Sequence, residues 1–168
     1  MKLLLTLLEA LISFLSDLFN KPKQPPSEGV KTSAEAKPER LKSRPKHAGR
    51  QLSKNFNSNE FDCKCDGLCD ELILHDKLVR VLQDLRDQFG KPIIITSAYR
   101  CEEHNENVGG SSTSTHMLGI AVDLWCEDFD KLYELIVEYD PDFSIGRYDN
   151  FIHLDLRKEG RRWDYRTK

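Results

Sequence analysis

Apolar and polar positions along the second half of the chain follow two different periods, and these periods predict its helices and strands. In HDKLVRVLQDLRDQFG the apolar residues recur at helical spacing, so that Leu78, Leu82 and Leu85 share one face. Gly90 is a suitable stop for this helix. The same spacing predicts a second amphipathic helix in DFDKLYELIVEYD, which ends before Pro141.

Strands are predicted where β-branched or alternating residues replace the helical period. KPIIITSAYR indicates a strand with proline at its entrance, GIAVDLWC a buried strand, and FSIGRYDNFIHLDLR two short strands. CEEHNENVGGSSTS is predicted to be a polar loop with a Gly-Gly turn, and the tail KEGRRWDYRTK to be irregular. This order of elements favours an α+β fold, a small antiparallel sheet with flanking helices.

The first fifty residues differ in character from the rest of the chain. Residues 1–20 are strongly apolar with helical spacing, although Glu9 and Asp17 interrupt the run. Three interpretations remain open: an amphipathic helix on a membrane surface or partner, an uncleaved signal-anchor, and a cleaved signal peptide. Residues 21–50 are basic and rich in proline, which predicts a disordered linker. Residues 51–168 then form the folded domain.

The net charge of −3 combines two unlike parts of the chain. Residues 1–50 carry ten Lys and Arg against five Asp and Glu, whereas residues 51–168 carry 15 against 23. The acidic domain argues against nucleic acid as a ligand, which would need a basic footprint. The basic linker is either a solvated tether or a segment attracted electrostatically to anionic lipid or to wall polymer.

Side chains able to bind a metal interrupt the apolar pattern of two predicted strands. In FIHLDL, His153 and Asp155 project from one face together with Phe151, and Ile152, Leu154 and Leu156 project from the other. The same alternation in IAVDLW places Asp123 opposite the apolar face, where an uncompensated carboxylate would be costly to bury. His116 lies in the preceding loop. Two imidazoles and a carboxylate are a common catalytic zinc set, and the alternative is that all are ordinary hydrogen-bonding groups.

Two longer stretches, SAYRCEEHNENVGGSSTSTHMLGIAVDLW and IGRYDNFIHLDLR, resemble the zinc D-Ala-D-Ala carboxypeptidase family, which shares its fold with the hedgehog signalling domain. Ser-x-Tyr-Arg, His-Asn, Gly-Gly, Ser-x-His-x-x-Gly-x-Ala-x-Asp and Ile-His-x-Asp occur in the family's order over residues 51–157, most like the phage and bacterial branch. The resemblance implies one catalytic zinc ion, which activates a water and is bound by His116, Asp123 and His153.

The resemblance also implies a substrate and a location. The substrate would be peptidoglycan stem peptides, cut next to D-amino acids by a carboxypeptidase or by a cross-link endopeptidase of endolysin type. The protein would then act in the cell envelope, the periplasm or outside the cell, or be encoded by a phage and delivered to the wall.

Candidate substrate contacts follow from the same motifs. Arg100 is expected to bind the carboxylate or carbonyl of the substrate, which suits a guanidinium fork; the alternative is a salt bridge that holds its loop. Ser114 is a candidate contact to a metal ligand or to substrate, and Tyr99 and Tyr148 are candidates to line the site. His104 is either a second polar substrate contact or a hydrogen-bonding residue of the loop.

The catalytic base is open between two acids. Many relatives carry an acidic residue three positions before the last histidine ligand, where this chain has Asn150. Asp155 shares the strand face of His153, and Asp149 lies in the preceding turn; the alternative role of Asp155 is to orient the ligand. Asn150 also motivates a different function, a non-catalytic cell-wall-binding or virion structural module on the same fold.

The five cysteines leave their chemistry open. CKCDGLC contributes Cys63, Cys65 and Cys69, and Cys101 and Cys126 follow. They could form a structural metal site with Cys101 or Cys126 as the fourth ligand, disulfides if the domain is exported, or reduced thiols.

Overall fold

Five short strands form one mixed sheet in the computed structural model, which describes residues 49–67 and 69–167. The predicted helix at residues 1–20 and nearly all of the predicted linker lie outside these ranges. Within them, no helix combines the length and the apolar composition that a membrane span requires.

The strand order across the sheet is β1-β2-β4-β3-β5. The strands are β1 (Ile94–Ser97), β2 (Ala121–Trp125), β3 (Ser144–Arg147), β4 (Ile152–Asp155) and β5 (Arg162–Asp164). Neighbours pair antiparallel except β3 and β5, which are parallel. This arrangement confirms the α+β class. The tail, however, is not irregular as predicted, because Arg161 O and Tyr165 N form backbone hydrogen bonds with the open edge of β3. A three-residue strand is too short to show a period.

Within the described residues three α-helices accompany the sheet, α1 (Asp76–Phe89), α2 (Glu102–Asn107) and α3 (Phe129–Tyr139), and a short 3-10 helix, Ser58–Glu60, precedes them. The ring of His75 caps α1 by accepting a hydrogen bond from the Lys77 amide, and Gly90 ends it at a positive φ of 73°. The Asp128 carboxylate caps α3 by accepting from the Lys131 amide. Both predicted amphipathic helices are therefore present, with side-chain caps at their starts.

The short helix α2 lies where a polar loop was expected. Its first turn carries Glu102 and Glu103, whose charges suit the positive end of a helix. The Asn105 amide donates to the Cys101 carbonyl over 2.9 Å. No helix was predicted here because the segment lacks apolar periodicity. Local hydrogen bonds and the acidic residues of the first turn stabilise the helix instead.

One apolar core lies between the helices and the sheet. It contains the apolar faces of α1 and α3 and the alternate residues of β2, β3 and β4, among them Leu78, Leu82, Leu85, Val122, Leu124, Leu132, Ile136, Ile145, Ile152 and Leu154. Because successive strand residues point to opposite faces, the polar residues of β2 and β4 are directed to the other face of the sheet. The core thus determines which side of the sheet is available for chemistry.

Gly119 closes the turn that leads from His116 into β2. Its φ is +66°, and a Cβ there would stand 2.3 Å from the Ile73 carbonyl oxygen. Its own carbonyl accepts a hydrogen bond from the His75 amide over 3.0 Å. The turn is therefore packed directly on the segment that leads into α1, and only glycine fits it.

We expect Gly119→Ala to lower the free energy of unfolding by about 3 kcal/mol or more, because left-handed strain adds to a backbone clash. Gly90→Ala is a matched control: Gly90 has a similar φ but nothing within 4 Å of its Cβ position. It should lose only about 1–2 kcal/mol. Urea unfolding measures both, and equal losses in the two variants would contradict the contact with Ile73.

Candidate metal centre

The pairing of the strands aligns polar residues in a row across the sheet. Position by position, the row runs through Ser97, Asp123, His153, Gly146 and Trp163, one residue from each strand. Asp123 and His153 are direct partners in the antiparallel pairing of β2 with β4, although thirty residues separate them in the chain. The sheet therefore brings together two of the three predicted metal ligands.

His116 completes a compact triangle of ligand atoms above this row. Its Nε2 lies 3.3 Å from Asp123 Oδ1 and 3.2 Å from His153 Nδ1, and the last two atoms are 2.8 Å apart. Zinc bonds of about 2.0–2.1 Å place tetrahedral ligand atoms about 3.3–3.4 Å apart. Two edges of the triangle match that spacing, and the third is shortened by the imidazole–carboxylate hydrogen bond.

The backbone fixes the ring of His116. Its Nδ1 lies 2.6 Å from the Ala98 carbonyl oxygen, which only accepts, so Nδ1 carries the proton and the Nε2 lone pair faces the triangle. The side chain is almost fully buried, and this burial lowers the pKa of His116, which keeps the imidazole neutral. Ser114 Oγ accepts from the His116 amide over 3.3 Å, so Ser114 holds the turn in place.

Asp155 lies behind His153, on the far side of its ring from the triangle. Its Oδ2 is 3.7 Å from His153 Nε2, and the carboxylate has no exposed surface. Arg157 donates to both oxygens, and Thr115 Oγ1 donates to Oδ2 over 3.2 Å. Burial alone would raise the pKa of Asp155, but His153 and Arg157 lower it to about 2. This placement favours the role of orienting His153 over that of catalytic base.

Arg157 and Thr115 were not singled out in the sequence. Arg157 follows Asp155 at the spacing of two that places residues on one face of an extended chain, which is a usable signal. Thr115 sits between Ser114 and His116 in a turn, and its partner is forty positions away, so no local pattern indicates the bond.

Asp123 stays ionised despite its burial. Its Oδ2 accepts a bond from Arg100 Nη2 over 2.6 Å, while Arg100 Nε donates to Ser97 Oγ. Burial alone would raise the pKa of the carboxyl, but the facing imidazoles of His116 and His153 hold it well below its usual range. Arg100 thus forms the salt bridge that was its alternative role, and its role in substrate binding stays a prediction.

Tyr99 does not line the triangle, contrary to expectation. It is 4% exposed, and its hydroxyl donates to Glu71 Oε2 over 2.9 Å. It packs with Cys63 and Cys65 because its amide bonds the Phe61 carbonyl, which ties it to the cysteine segment. Its buried side chain leaves no surface for a substrate.

His104 lies in α2, near Arg100. Burial lowers the pKa of its imidazole, and the nearby Arg100 lowers it further. The ring is therefore neutral at pH 7 and close to Arg100. Its role as a second substrate contact stays a prediction.

The far end of the row brings Tyr148 beside the centre. Trp163 lies over Gly146, where a Cβ would stand 2.2 Å from its Nε1, and its ring is 5.5 Å from that of His153. Trp163 Nε1 donates to the Tyr148 hydroxyl over 3.1 Å. Burial raises the pKa of Tyr148, so the phenol keeps its proton at neutral pH.

Asp149 faces a different part of the surface. Its exposed carboxylate accepts bonds from the amide and the hydroxyl of Thr167, over 2.8 and 3.0 Å. It lines an open pocket of about 790 Å³ with Tyr148 and Arg166. Tyr148 is the residue that connects this pocket with the surroundings of the triangle.

A family model covers the residues of this centre. Residues 54–155 match the family model described as peptidase M15. The chain belongs to the peptidase M15 family. M15 peptidases are zinc metallopeptidases of the D-Ala-D-Ala carboxypeptidase type, so the resemblance noted in the sequence is confirmed. Among curated proteins the comparison finds no match. The M15 match includes the whole triangle and ends before β5.

The donor set of this M15 domain fits zinc. Two imidazole nitrogens and one carboxylate oxygen lie close enough together to bind one ion. The outer nitrogen of each ring faces an acceptor, the Ala98 carbonyl for His116 and the Asp155 carboxylate for His153. Such outer partners hold imidazole ligands in orientation and make them better donors.

Zinc binding by the metal-free M15 domain should depend on pH. Burial alone would lower the pKa of His153, but Asp123 and Asp155 raise it to about 8. Because zinc needs the unprotonated nitrogen, binding below that pH displaces one proton. We expect the apparent affinity to rise about tenfold per pH unit from pH 6 towards 8 and then to level off. Competition titrations measure this, and a flat profile below pH 8 would contradict it.

Proposed function

We propose that the protein hydrolyses peptide bonds next to D-amino acids in peptidoglycan stem peptides. The observation that carries the proposal is the triangle of His116, Asp123 and His153, with the Arg100 guanidinium bonded to its carboxylate. Membership of the M15 family supports the peptidase chemistry. The motifs shared with D-Ala-D-Ala carboxypeptidases support the substrate class.

The chain's own residues prepare the centre for this chemistry. When bound, zinc polarises a carbonyl and lowers the pKa of a water towards neutrality. The Ala98 carbonyl and Asp155 hold the two imidazoles, so the three donors need little rearrangement to bind the ion. Arg100 offsets the negative charge of Asp123 in a site that is largely closed to solvent.

Two donors are positioned to recognise the substrate. Ser97 Oγ and Asp123 Oδ2 fix the plane of the Arg100 guanidinium, which suits a substrate carboxylate or carbonyl. Tyr148 keeps its proton and is held by Trp163, so it can donate a hydrogen bond to an oxygen that gains charge. Both groups are fixed in place before the substrate arrives, which lowers the cost of binding.

Two acids are candidates for the residue that transfers the proton, and they differ in their access to water. Asp149 is exposed, but its carboxylate bonds Thr167, so it would have to exchange that bond to act as the base. Asp155 is enclosed by Arg157 and Thr115 and has no exposed surface. Of the two, Asp149 has the easier access to water.

Mass spectrometry of muropeptides incubated with the zinc-loaded protein tests the proposal. Loss of a terminal alanine from pentapeptide stems identifies a carboxypeptidase, and conversion of cross-linked dimers to monomers identifies an endopeptidase. Either product supports the proposed substrate class. Intact muropeptides together with cleavage of an all-L peptide would overturn it.

The second candidate is a non-catalytic module that binds cell-wall material. Two observations favour it: Asn150 replaces the usual acid, and Asp155 is enclosed by Arg157 and Thr115. Co-sedimentation with purified peptidoglycan, followed by analysis of the released fragments, distinguishes the two functions. Sedimentation without any released fragment would favour the module, and fragment release would exclude it.

A further inference from the structure

Four cysteines converge at a second place in the domain. This cysteine cluster consists of Cys63, Cys65, Cys69 and Cys101, whose sulfur atoms all lie within 4.8 Å of one another. The sulfurs of Cys65 and Cys69 are 3.4 Å apart, and those of Cys63 and Cys101 are 3.7 Å apart. These separations are far longer than a disulfide bond of about 2.05 Å. They are close to about 3.8 Å, which is the distance between two sulfur atoms when four thiolates surround zinc tetrahedrally at about 2.3 Å.

The backbone is shaped to bring the sulfurs together. Asp66 and Gly67 both have positive φ, 52° and 101°, and turn the chain between Cys65 and Cys69. For a non-glycine residue such as Asp66 this conformation is uncommon and has to be held by its surroundings. The turn lets two cysteines four positions apart present their sulfurs to the same point.

The fourth cysteine comes from the start of α2. The Cys101 amide donates to Cys63 Sγ over 3.3 Å, and N–H groups directed at sulfur commonly support metal-bound thiolates. Cys126 lies instead in the main apolar core. The sequence left two candidates for the fourth ligand position, and the structure places Cys101, not Cys126, with the other three cysteines.

The cluster is separate from the His–Asp–His triangle. The apolar residues packed with it are Tyr99 and Leu72, and neither contributes to the triangle. The connection between the two sites is the chain itself, because Cys101 directly follows Arg100. An ion in the cluster would tie the CKCDGLC segment to the start of α2, beside the guanidinium that bonds Asp123.

We propose that the cysteine cluster binds a second zinc ion with a structural role. Four thiolates in a tetrahedral arrangement select zinc or iron–sulfur chemistry, and four protein ligands leave no open position for catalysis. The thiols lose their protons as the ion binds, so the site forms at neutral pH only where zinc is present. With both sites filled, this domain contains two zinc ions, one in the triangle and one in the cysteine cluster.

Metal analysis of the full chain, purified under reducing conditions and loaded with zinc, tests this proposal. We expect two zinc ions per chain. The Cys65→Ser, Cys69→Ser double variant should retain one ion and so should His116→Ala, whereas the Cys126→Ser control should retain both. Cobalt substitution of the unmodified chain gives a second readout that does not depend on the fold of a variant: thiolate-to-cobalt charge-transfer bands with the visible bands of tetrahedral cobalt.

Three results would overturn the proposal. One is a single zinc ion per chain that disappears in His116→Ala. Another is a cobalt spectrum without thiolate charge transfer. The third is an intact mass that shows two disulfides in reduced, zinc-loaded protein. None of them bears on muropeptide cleavage, so this proposal and the proposed function fail independently.

Discussion

His116→Ala should remove zinc from the catalytic centre and lower peptidase activity about a thousandfold or more. His116 supplies one of three donor atoms, and its Nε2 is directed into the triangle by the bond from Nδ1 to the Ala98 carbonyl. With two donors left, the ion is bound weakly and its contribution to transition-state stabilisation, several kcal/mol, is lost. About 4 kcal/mol corresponds to a factor of about a thousand in rate.

His75→Ser is the matched control for this variant. It also removes an imidazole, but from an exposed N-cap position of α1, where serine is an equally good cap. Its zinc content and activity should equal those of the unmodified protein. Circular dichroism checks that His116→Ala remains folded. Full activity in a folded His116→Ala variant would remove His116 from the ligand set.

Asp155→Asn separates the two roles that the sequence left open for this acid. If Asp155 orients His153, its loss weakens zinc binding by about 10- to 100-fold, and excess zinc restores most of the activity. We expect this result because Asp155 lies 3.7 Å from the outer nitrogen of His153 and is enclosed by Arg157. Zinc affinity and kcat at saturating zinc are the two quantities to measure.

Asp149→Asn is the natural comparison. Asp149 is exposed and bonds Thr167, so its loss should leave zinc affinity unchanged, and kcat falls if it acts as the base. A loss of kcat in Asp155→Asn that saturating zinc fails to restore would instead make Asp155 the base. Full kcat in both variants, each saturated with zinc, would show that neither acid is the base.

Alternation along the strands predicted which face of the sheet carries Asp123 and His153, and the family resemblance implied that they bind a metal. Every second residue of β2 and β4 faces the apolar core, so Asp123 and His153 face away from it. Antiparallel pairing then made them direct partners. The buried carboxylate of Asp123 is compensated, because Arg100 offsets its charge and His153 Nδ1 lies within hydrogen-bond distance of it.

Other parts of the site depend on contacts that no local pattern contains. The three residues of β5 show no period, yet Trp163 reaches the His153 ring because Gly146 leaves space for the indole. Tyr99 adjoins Arg100 in the motif, but its buried hydroxyl bonds Glu71 on the cysteine side of the domain. Such assignments need the direction of each side chain, which spacing in the sequence does not provide.

The cysteines show the same limit. CKCDGLC predicts proximity among three of them, but two candidates remained for the fourth position. The choice of Cys101 follows from the tertiary position of α2, a helix that lacks apolar periodicity. The spacing of the cysteines in CKCDGLC makes a metal site feasible, and the fold shows which four cysteines lie close enough together to form it.

We propose that the His–Asp–His triangle is the zinc centre of a peptidoglycan peptidase. The most direct test is cleavage of a cross-linked muropeptide dimer and of a pentapeptide stem by metal-free protein as zinc is added back. We expect no product without zinc, product that increases until the catalytic centre is filled, and none from His116→Ala at any zinc concentration. Zinc-independent cleavage, or equal cleavage by His116→Ala, would contradict it.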